Sequence, residues 1–514
     1  MDDGHMITKT NGWLLLASVA LSGISVCPSV CHGQLRICSY NTLSKPANST
    51  DIGEIRTIFS AIATRPANGV AKRVDIVGLQ EQNTSLATVS NFASALNAEF
   101  PSANYQQVLL SNGSFRHAYV YDAGTVTPVS SSEVYIGIRP ALRTQWNLFG
   151  YGGSASFYSY CVHLKAGNSA GDNYQRNLEA QNIRSNADAL GEGTHVIYMG
   201  DFNFVGHNES SVLTLYAPGP GQAVDPLLLP TWPGVSSRFW LTQSTRDIPL
   251  PDGGAFGGID DRFDLQLVSG EFLDGEGLSY LGFSSSGFPG FEHSYIAFGN
   301  DGLVYNGPIN VATPGREQPY VVLDALYELS DHLPVVADYQ IPAVMDVQMD
   351  SVPYSAVLGS TVDVAFLVKN TAPVSVSLAA DELDYSFVAS AGLVGAGSGV
   401  EPALGAGQFE LIQVDTTSVG LKTANLTVST NSQQAANPNF AFDQEIFVTV
   451  QGDMNGDFSV DTLDIVHFAD ALVNPSAYAQ NFPHIDPNVI GDFNGDSVID
   501  SLDISGFSGA LVGP

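Results

Sequence analysis

Short apolar and alternating runs, broken by polar turn-forming stretches, pattern the front of the chain. Leu35–Tyr40, Val74–Leu79, Ala118–Tyr121, Phe157–Leu164, His195–Gly200, Phe263–Val268 and Leu333–Ala337 read as strands. Each is too short for a stable helix and most are rich in β-branched or aromatic residues. Between them, Arg56–Thr64 and Tyr174–Leu190 read as helices, the second with Leu178, Ile183 and Leu190 near helical spacing. Residues 204–258 and 270–325 are rich in Gly, Pro and Ser and predict long surface loops.

The pattern changes over residues 341–450. Val362–Val368, Phe409–Val414, Ala424–Ser429 and Glu445–Val450 alternate or run as β, with turn-like clusters between them. This spacing predicts an immunoglobulin-like β-sandwich. It shows no chemistry, so a spacer or binding module is expected there.

Length and charge sharpen the division. At 514 residues the chain is long enough for two to four domains. Net charge is −33, split as −13 over residues 34–340 and −19 over 341–514, where only Lys369 and Lys422 are basic. Such a balance excludes a general nucleic-acid coat, whose affinity comes from clustered Lys and Arg. The basic residues are concentrated in the front part, so any anionic substrate is expected to be handled there.

The N-terminus reads as an export signal. Lys9 precedes a short apolar run, Trp13 to Val26, and Cys31-His32-Gly33 offers a cleavage site that leaves Gln34 first. No later apolar stretch is long enough to span a bilayer, so the mature chain is expected to be secreted, extracellular or periplasmic, without a transmembrane segment. Cys38 and Cys161 then remain, either as two buried thiols or as a disulfide.

Residues 451–514 contain an internal repeat. Asp453-Met-Asn455-Gly-Asp457-Phe-Ser-Val-Asp461-Thr-Leu-Asp464 recurs 39 residues later as Asp492-Phe-Asn494-Gly-Asp496-Ser-Val-Ile-Asp500-Ser-Leu-Asp503. Oxygen side chains at loop positions 1, 3, 5, 9 and 12 suit a hard cation that takes many oxygen ligands. The segment resembles a dockerin, in which each of two calcium loops of EF-hand type precedes a helix. The resemblance implies two bound Ca2+ ions and a protein partner for the segment. One departure stands out: the family has Gly at position 6, where this chain has Phe458 and Ser497, with Gly456 and Gly495 at position 4.

In the front part, polar residues gather at the ends of β runs. Asn41 follows the first strand, Gln80-Glu81 the second, His163 lies in Phe157–Leu164, and Gly200-Asp201-Phe-Asn203 ends the next. Asp264 opens the run to Val268, and Ser330-Asp331-His332 precedes Leu333. Strand ends can converge on one rim of a sheet, where a site can form. Taken singly, each piece reads as a turn, a cap or a core histidine.

As an ordered set they resemble the endonuclease/exonuclease/phosphatase superfamily, the deoxyribonuclease-I-like fold, over about residues 35 to 340. The resemblance implies a four-layer α/β sandwich that hydrolyses phosphate esters with Mg2+ or Mn2+. By motif position, Glu81 matches the principal metal carboxylate, Asn41 its neighbour, and Asp331 a second metal or site carboxylate. Asp201 and Asn203 match the pair that orients nucleophile and phosphate. His332 matches the catalytic histidine, Asp264 the carboxylate that holds it, and His163 the second histidine of some branches. Arg139, in Arg139-Pro140, matches a phosphate contact. Asp260 and Asp261 compete with Asp264, which is preferred because Asp264-Leu-Gln-Leu-Val-Ser reads as a strand entering the core.

The expected organisation is a signal peptide over 1–33, a catalytic domain over 34–340, the β-sandwich over 341–450 and a small helical calcium-binding domain over 451–514. The expected activity is hydrolysis of a phosphodiester, endonuclease-like, in nucleic acid or phospholipid. A phospholipid or sugar-phosphate esterase of the same fold, and a non-catalytic extracellular scaffold, are the alternatives. A fold does not by itself name a substrate.

Overall fold

A computed structural model describes residues 34–83, 87–109, 117–282 and 293–512. The expected signal segment, with Cys27 and Cys31, lies outside them. Among the described residues no helix is long and apolar enough to cross a membrane. Cys38 and Cys161 are both free and buried.

Two sheets form the heart of the front part. The first runs Ile296–Ala297, Val335–Tyr339, Leu35–Asn41, Ile76–Gln80, His117–Asp122, Tyr105–Val108. The second runs Asp264–Val268, Val196–Asp201, Ser156–His163, Ala141–Leu148, Val126–Val134. Every residue of Leu35–Asn41, Ile76–Gln80, Val196–Asp201 and Asp264–Val268 is buried. These strands are covered on both faces, which is why they read as continuous runs rather than alternating ones. The sheets pack closely: a Cβ on Gly78 would lie 2.6 Å from the Met199 sulfur of the opposite sheet.

Helices close the outer faces. Ser49–Thr64, Ala87–Glu99 and Tyr320–Leu329 bury Ile55, Phe59, Phe92 and Leu326 against Val77 and Leu79 of the first sheet. Ala170–Asp188 and Ser210–Tyr216 bury Ile183, Val212 and Leu215 with the second. The result is a four-layer α/β sandwich, helix–sheet–sheet–helix. Two helices begin earlier than the apolar spacing predicts, because reciprocal caps start them: Asn48 with Asp51, and Ser169 with Asp172. The helix Tyr320–Leu329 starts inside one of the expected loops.

Over 345–449, eight strands form one hydrogen-bonded order rather than two separate sheets. Leu393 and Val394 make the join by pairing with Val414 and Gln413. The sheet encloses a core that includes Phe366, Phe387, Leu426 and Ile446. It abuts the front part directly. Tyr151 donates to the Pro342 carbonyl at 2.7 Å, Gln434 to that of Ser156 at 2.8 Å, and the Gly277 amide to Asp381 at 3.0 Å.

At the C-terminus both repeat loops lead into helices, Asp464–Val473 and Ile504–Val512. Phe468 and Phe507, equivalent positions of the two copies, stack at 4.2 Å and 6°. The first loop rests on the neighbouring sheet: Phe458 stacks on Phe447 at 5.4 Å, and Thr449 bonds the Asp453 carboxylate.

Candidate active site

Strand register assembles the polar set. In the second sheet Asp201 pairs with His163 on one side and Asp264 on the other, so three functional side chains share one row. In the first sheet Asn41 pairs with Gln80, and Glu81 follows immediately. Glu81 has φ +56° and Asn203 φ +52°, left-handed conformations that non-glycine residues seldom adopt. Such backbone persists where its surroundings over-determine it, as functional sites do.

The distances are short. The Asn41 amide donates to Glu81 and to Asp201, both at 3.2 Å. His163 Nε2 lies 3.4 Å from Asp201 Oδ2, and its Nδ1 3.8 Å from Glu81 Oε1. His332 Nδ1 meets Asp264 Oδ2 at 2.7 Å, while its Nε2 faces Asp201 Oδ2 at 3.7 Å. The Asp264 partner leaves the second imidazole nitrogen pointing into the site. Asn203 anchors the Asp201 loop: its backbone N–H donates to Asp201 at 3.0 Å and its amide to the Leu164 carbonyl at 3.3 Å. The residues open on a cleft of about 550 Å³, lined also by Leu43, Asn168, Val205 and Phe263.

Electrostatics are dominated by carboxylates. Burial pushes the Asp201 carboxyl up to about 7; His332 opposes the rise, while Asp264 and Glu81 add to it. Burial pulls the His332 imidazole down, but Asp264, Asp331 and Asp201 outweigh it and hold its pKa well above the ordinary value. Burial, then Asp260, lifts Asp261 at the cleft wall to about 6. No Lys or Arg is among the described residues that line the cleft. An anionic substrate therefore meets uncompensated negative charge there.

The donor set fits a divalent cation. Glu81, His163 and Asp201 offer ligand atoms within 4.8 Å of one another, and so do Asp201, Asp264 and His332. Asp264 Oδ1 and Asp331 Oδ1 are buried with no hydrogen-bond partner among the described residues. Oxygen-rich, negatively charged donors of this kind suit a hard ion such as Mg2+.

Arg139 sits differently from its matched role, while Asp331 lines the cleft as a site carboxylate. Arg139 turns its guanidinium onto the carbonyls of His163 and Leu164, at 3.2 and 3.0 Å, and supports that strand end. Asp331 belongs to neither metal-compatible group; its Oδ2 accepts from the Ala255 amide at 2.7 Å and from Gln243 at 3.2 Å. The sequence reading missed Gln243, whose Nε2 lies 2.5 Å from His332 Nε2. It stands in a loop with no periodic pattern, and its neighbour Thr242 is bonded to the strand that carries Asp264.

The C-terminal loops repeat one geometry. Asp453 accepts from the amides of Gly456, Asp457 and Phe458, and Asp464 from those of Met454, Asn455 and Asp461. Asp492 accepts from Gly495 and Ser497, and Asp503 from Phe493, Asn494 and Asp500. Asn455, Asp457 and Asp461, like Asn494, Asp496 and Asp500, each accept from the amide two residues on. Phe458 and Ser497 adopt φ +70° and +69°, so position 6 takes the left-handed turn in both copies without glycine.

No family model and no curated protein matches the chain. Solved structures do show similarity. A humanised TDP2 from D. rerio is 14% identical over 60% of this chain and 99% of that one, with a TM-score of 0.37. An endonuclease/exonuclease/phosphatase family protein from Bacteroides thetaiotaomicron is 15% identical over 60% and 97%, with a TM-score of 0.34. A mannosyl-6-phosphatase from the same organism is 15% identical over 59% and 99%, also at 0.34.

Proposed function

We propose that the chain is a divalent-cation-dependent phosphoesterase acting on phosphodiesters. The observation that carries this reading is the Asp264–His332 pair at 2.7 Å, whose second imidazole nitrogen, Nε2, faces Asp201 of the Glu81–His163–Asp201 cluster at 3.7 Å. In this mechanism His332 works in its neutral form, which a bound cation would favour by offsetting the carboxylates that raise its pKa. Its Nε2 takes a proton from water as the water oxygen bonds to phosphorus. The bond from phosphorus to the leaving oxygen breaks, and His163 or a water delivers the proton that this oxygen needs. Asp264 holds the imidazole in the tautomer that keeps Nε2 basic. Asn41 and Asn203 hold Glu81 and Asp201 in place. A divalent cation bound at Glu81 and Asp201, Mg2+ or Mn2+, would supply the positive charge that a phosphoryl oxygen requires in a cleft whose described lining residues include no Lys or Arg.

Several finer points belong to the same proposal. The enzyme is secreted, on the strength of the N-terminal apolar run and its cleavage motif. Its working parts are a catalytic domain over 34–340, an all-β spacer of one curled eight-stranded sheet over 341–450 and a dockerin-like segment over 451–514. That segment binds two Ca2+ ions in its duplicated loops and serves a protein partner. A substrate panel tests the central reading: plasmid DNA, RNA, sphingomyelin, a sugar phosphate and a simple phosphomonoester, each with Mg2+ and with chelator. Mg2+-dependent hydrolysis of a diester is expected. Turnover of none of them, in any divalent metal, would remove the proposal; turnover of the sugar phosphate alone would move it to a monoesterase.

A further inference from the structure

We propose that Gln243 is a catalytic residue of this site, donating an amide N–H to a non-bridging oxygen of the substrate phosphate beside His332. The inference rests on the phosphoesterase reading and extends it to a residue outside the strand-end set.

Three observations carry it. The first is position. Gln243 lines the cleft, with its Nε2 2.5 Å from His332 Nε2 and 3.2 Å from Asp331 Oδ2. A phosphoryl oxygen or water approaching the basic nitrogen of His332 must come to the same place, so substrate entry brings it against the amide.

The second is polarity. Asp331 Oδ2 accepts, and an amide nitrogen is a donor with no basic lone pair. The carboxylate therefore turns the NH2 end of Gln243, not its carbonyl, towards the site. One N–H reaches Asp331; the other points at the imidazole and is available to an oxyanion that displaces it. Among the described residues that line the cleft there is no Lys or Arg, so the Gln243 amide is one of its few side-chain donors for a phosphate. Donors fixed where charge grows in the transition state act most strongly when water is excluded and no reorganisation is needed.

The third is rigidity. The Gln243 backbone is clamped to the Asp261 segment: its N–H donates to the Asp261 carbonyl at 3.1 Å, and its carbonyl accepts from the Asp260 and Asp261 amides at 2.9 Å each. The preceding Thr242 carbonyl accepts from Leu333, one residue after His332, at 2.9 Å. The amide is thus carried by backbone tied both to the Asp264 side and to the His332 side of the site. None of these clamps uses the Gln243 side chain, so same-length replacements leave them in place.

The test uses the full chain with bis(p-nitrophenyl) phosphate and Mg2+, comparing wild type, Gln243→Met and Gln243→Glu. Both variants keep the side-chain length and remove the donor; Glu also adds negative charge. A fall in kcat of about 100-fold is expected for Met, the usual cost of one such donor, and a larger fall for Glu. KM should change much less than kcat. Inhibition by inorganic phosphate should weaken in both variants, which a role confined to packing would not cause. Wild-type kcat and wild-type phosphate inhibition in Gln243→Met would overturn the assignment. If wild type hydrolyses no ester, the parent reading fails; calorimetric binding of inorganic phosphate to the two forms still judges Gln243, which is rejected if their affinities are equal.

Discussion

At the scale of the residue, the site is a division of labour between two imidazoles and a crowd of carboxylates. His332 is the residue whose loss should matter most, because Asp264 fixes one nitrogen and turns the other towards Asp201 and the cleft. His332→Ala is expected to lower turnover at least about 100-fold, the common scale for a general base, with the melting temperature little changed; near wild-type turnover would discard the assigned role. Glu81 makes a different prediction. It is about one-third exposed and is steered by the Asn41 amide, so it can meet an ion from solvent. A neutral amide binds a hard dication poorly. Glu81→Gln should therefore shift the Mg2+ midpoint of activity upward, and an unchanged midpoint in a metal titration would rule it out as a ligand. These residues were legible because each follows or precedes an apolar run. Arg139 and Gln243 show the limit of that logic. Nothing in Arg139-Pro140 tells that the guanidinium turns onto two backbone carbonyls, and Gln243 stands in a loop without periodic signal.

At the scale of the element, register does the work that sequence spacing only hints at. Asp201 meets His163 and Asp264 because its strand pairs with both neighbours in one row. The glycine before it is essential to this pairing. Gly200 has φ +143°, and a Cβ there would lie 2.0 Å from the Val162 carbonyl oxygen. Gly200→Ala should destabilise the fold by roughly 3 kcal/mol or more, combining backbone strain with overpacking; a wild-type urea midpoint would contradict this. His195, just ahead of the same strand, gives a pH dependence. Burial lowers its pKa to about 4, with Asp274 opposing only weakly, and its ring packs edge-on against Phe272 at 5.1 Å. Between about 4 and its ordinary value near 6.5, the unfolded chain binds a proton that the folded chain refuses. Its contribution is therefore complete above that ordinary value and is lost as pH falls towards 4. The fall in melting temperature over this window should be shallower in His195→Phe; an identical slope would show that other groups set it. The continuous strands were readable because full burial leaves them uniformly apolar. The hairpin of Val126–Val134 and Ala141–Leu148 was not, since one face is open, its first strand is serine-rich and a bulge at Pro128–Ser130 interrupts the alternation. The helix Ala87–Glu99 escaped notice too, because small and polar residues dilute its apolar face.

At the scale of the whole molecule, the C-terminal segment meets the neighbouring sheet through the first of its two acidic loops and through Asp486, whose amide donates to Ser355 Oγ at 2.9 Å. Residues 451–514 carry 10 Asp and no Lys or Arg, so without bound cations the loop carboxylates repel one another. A small apolar core around Phe468, Tyr478, Ile490 and Phe507 opposes that repulsion. The two loops are alike in backbone but not in setting. Asp453 is reached by Thr449 of the adjoining strand, and Phe458, at the left-handed position 6, lies on Phe447. Phe458 and its counterpart Ser497 are both exposed, and what sets the first loop apart is the ring stack. A phenylalanine in that conformation costs about 1–2 kcal/mol relative to glycine, and the stacking on Phe447 is what the structure offers in return. Ordering of the first loop by an ion should thus be felt at the junction, while ordering of the second should not. In the full chain, Ca2+ is expected to bind with two ions per molecule and to slow proteolysis around residues 449–464, and chelator to speed it; Mg2+ should do little, since it keeps its waters and wants a tight octahedron. Phe458→Ser, which copies the second loop, should keep both ions yet leave the junction open to protease even with Ca2+. Calorimetric stoichiometry together with a protease time course decides the matter: equal cleavage rates with Ca2+ and with chelator would show that the loops do not govern the joint, and one ion in the variant would show that Phe458 holds the loop rather than the interface.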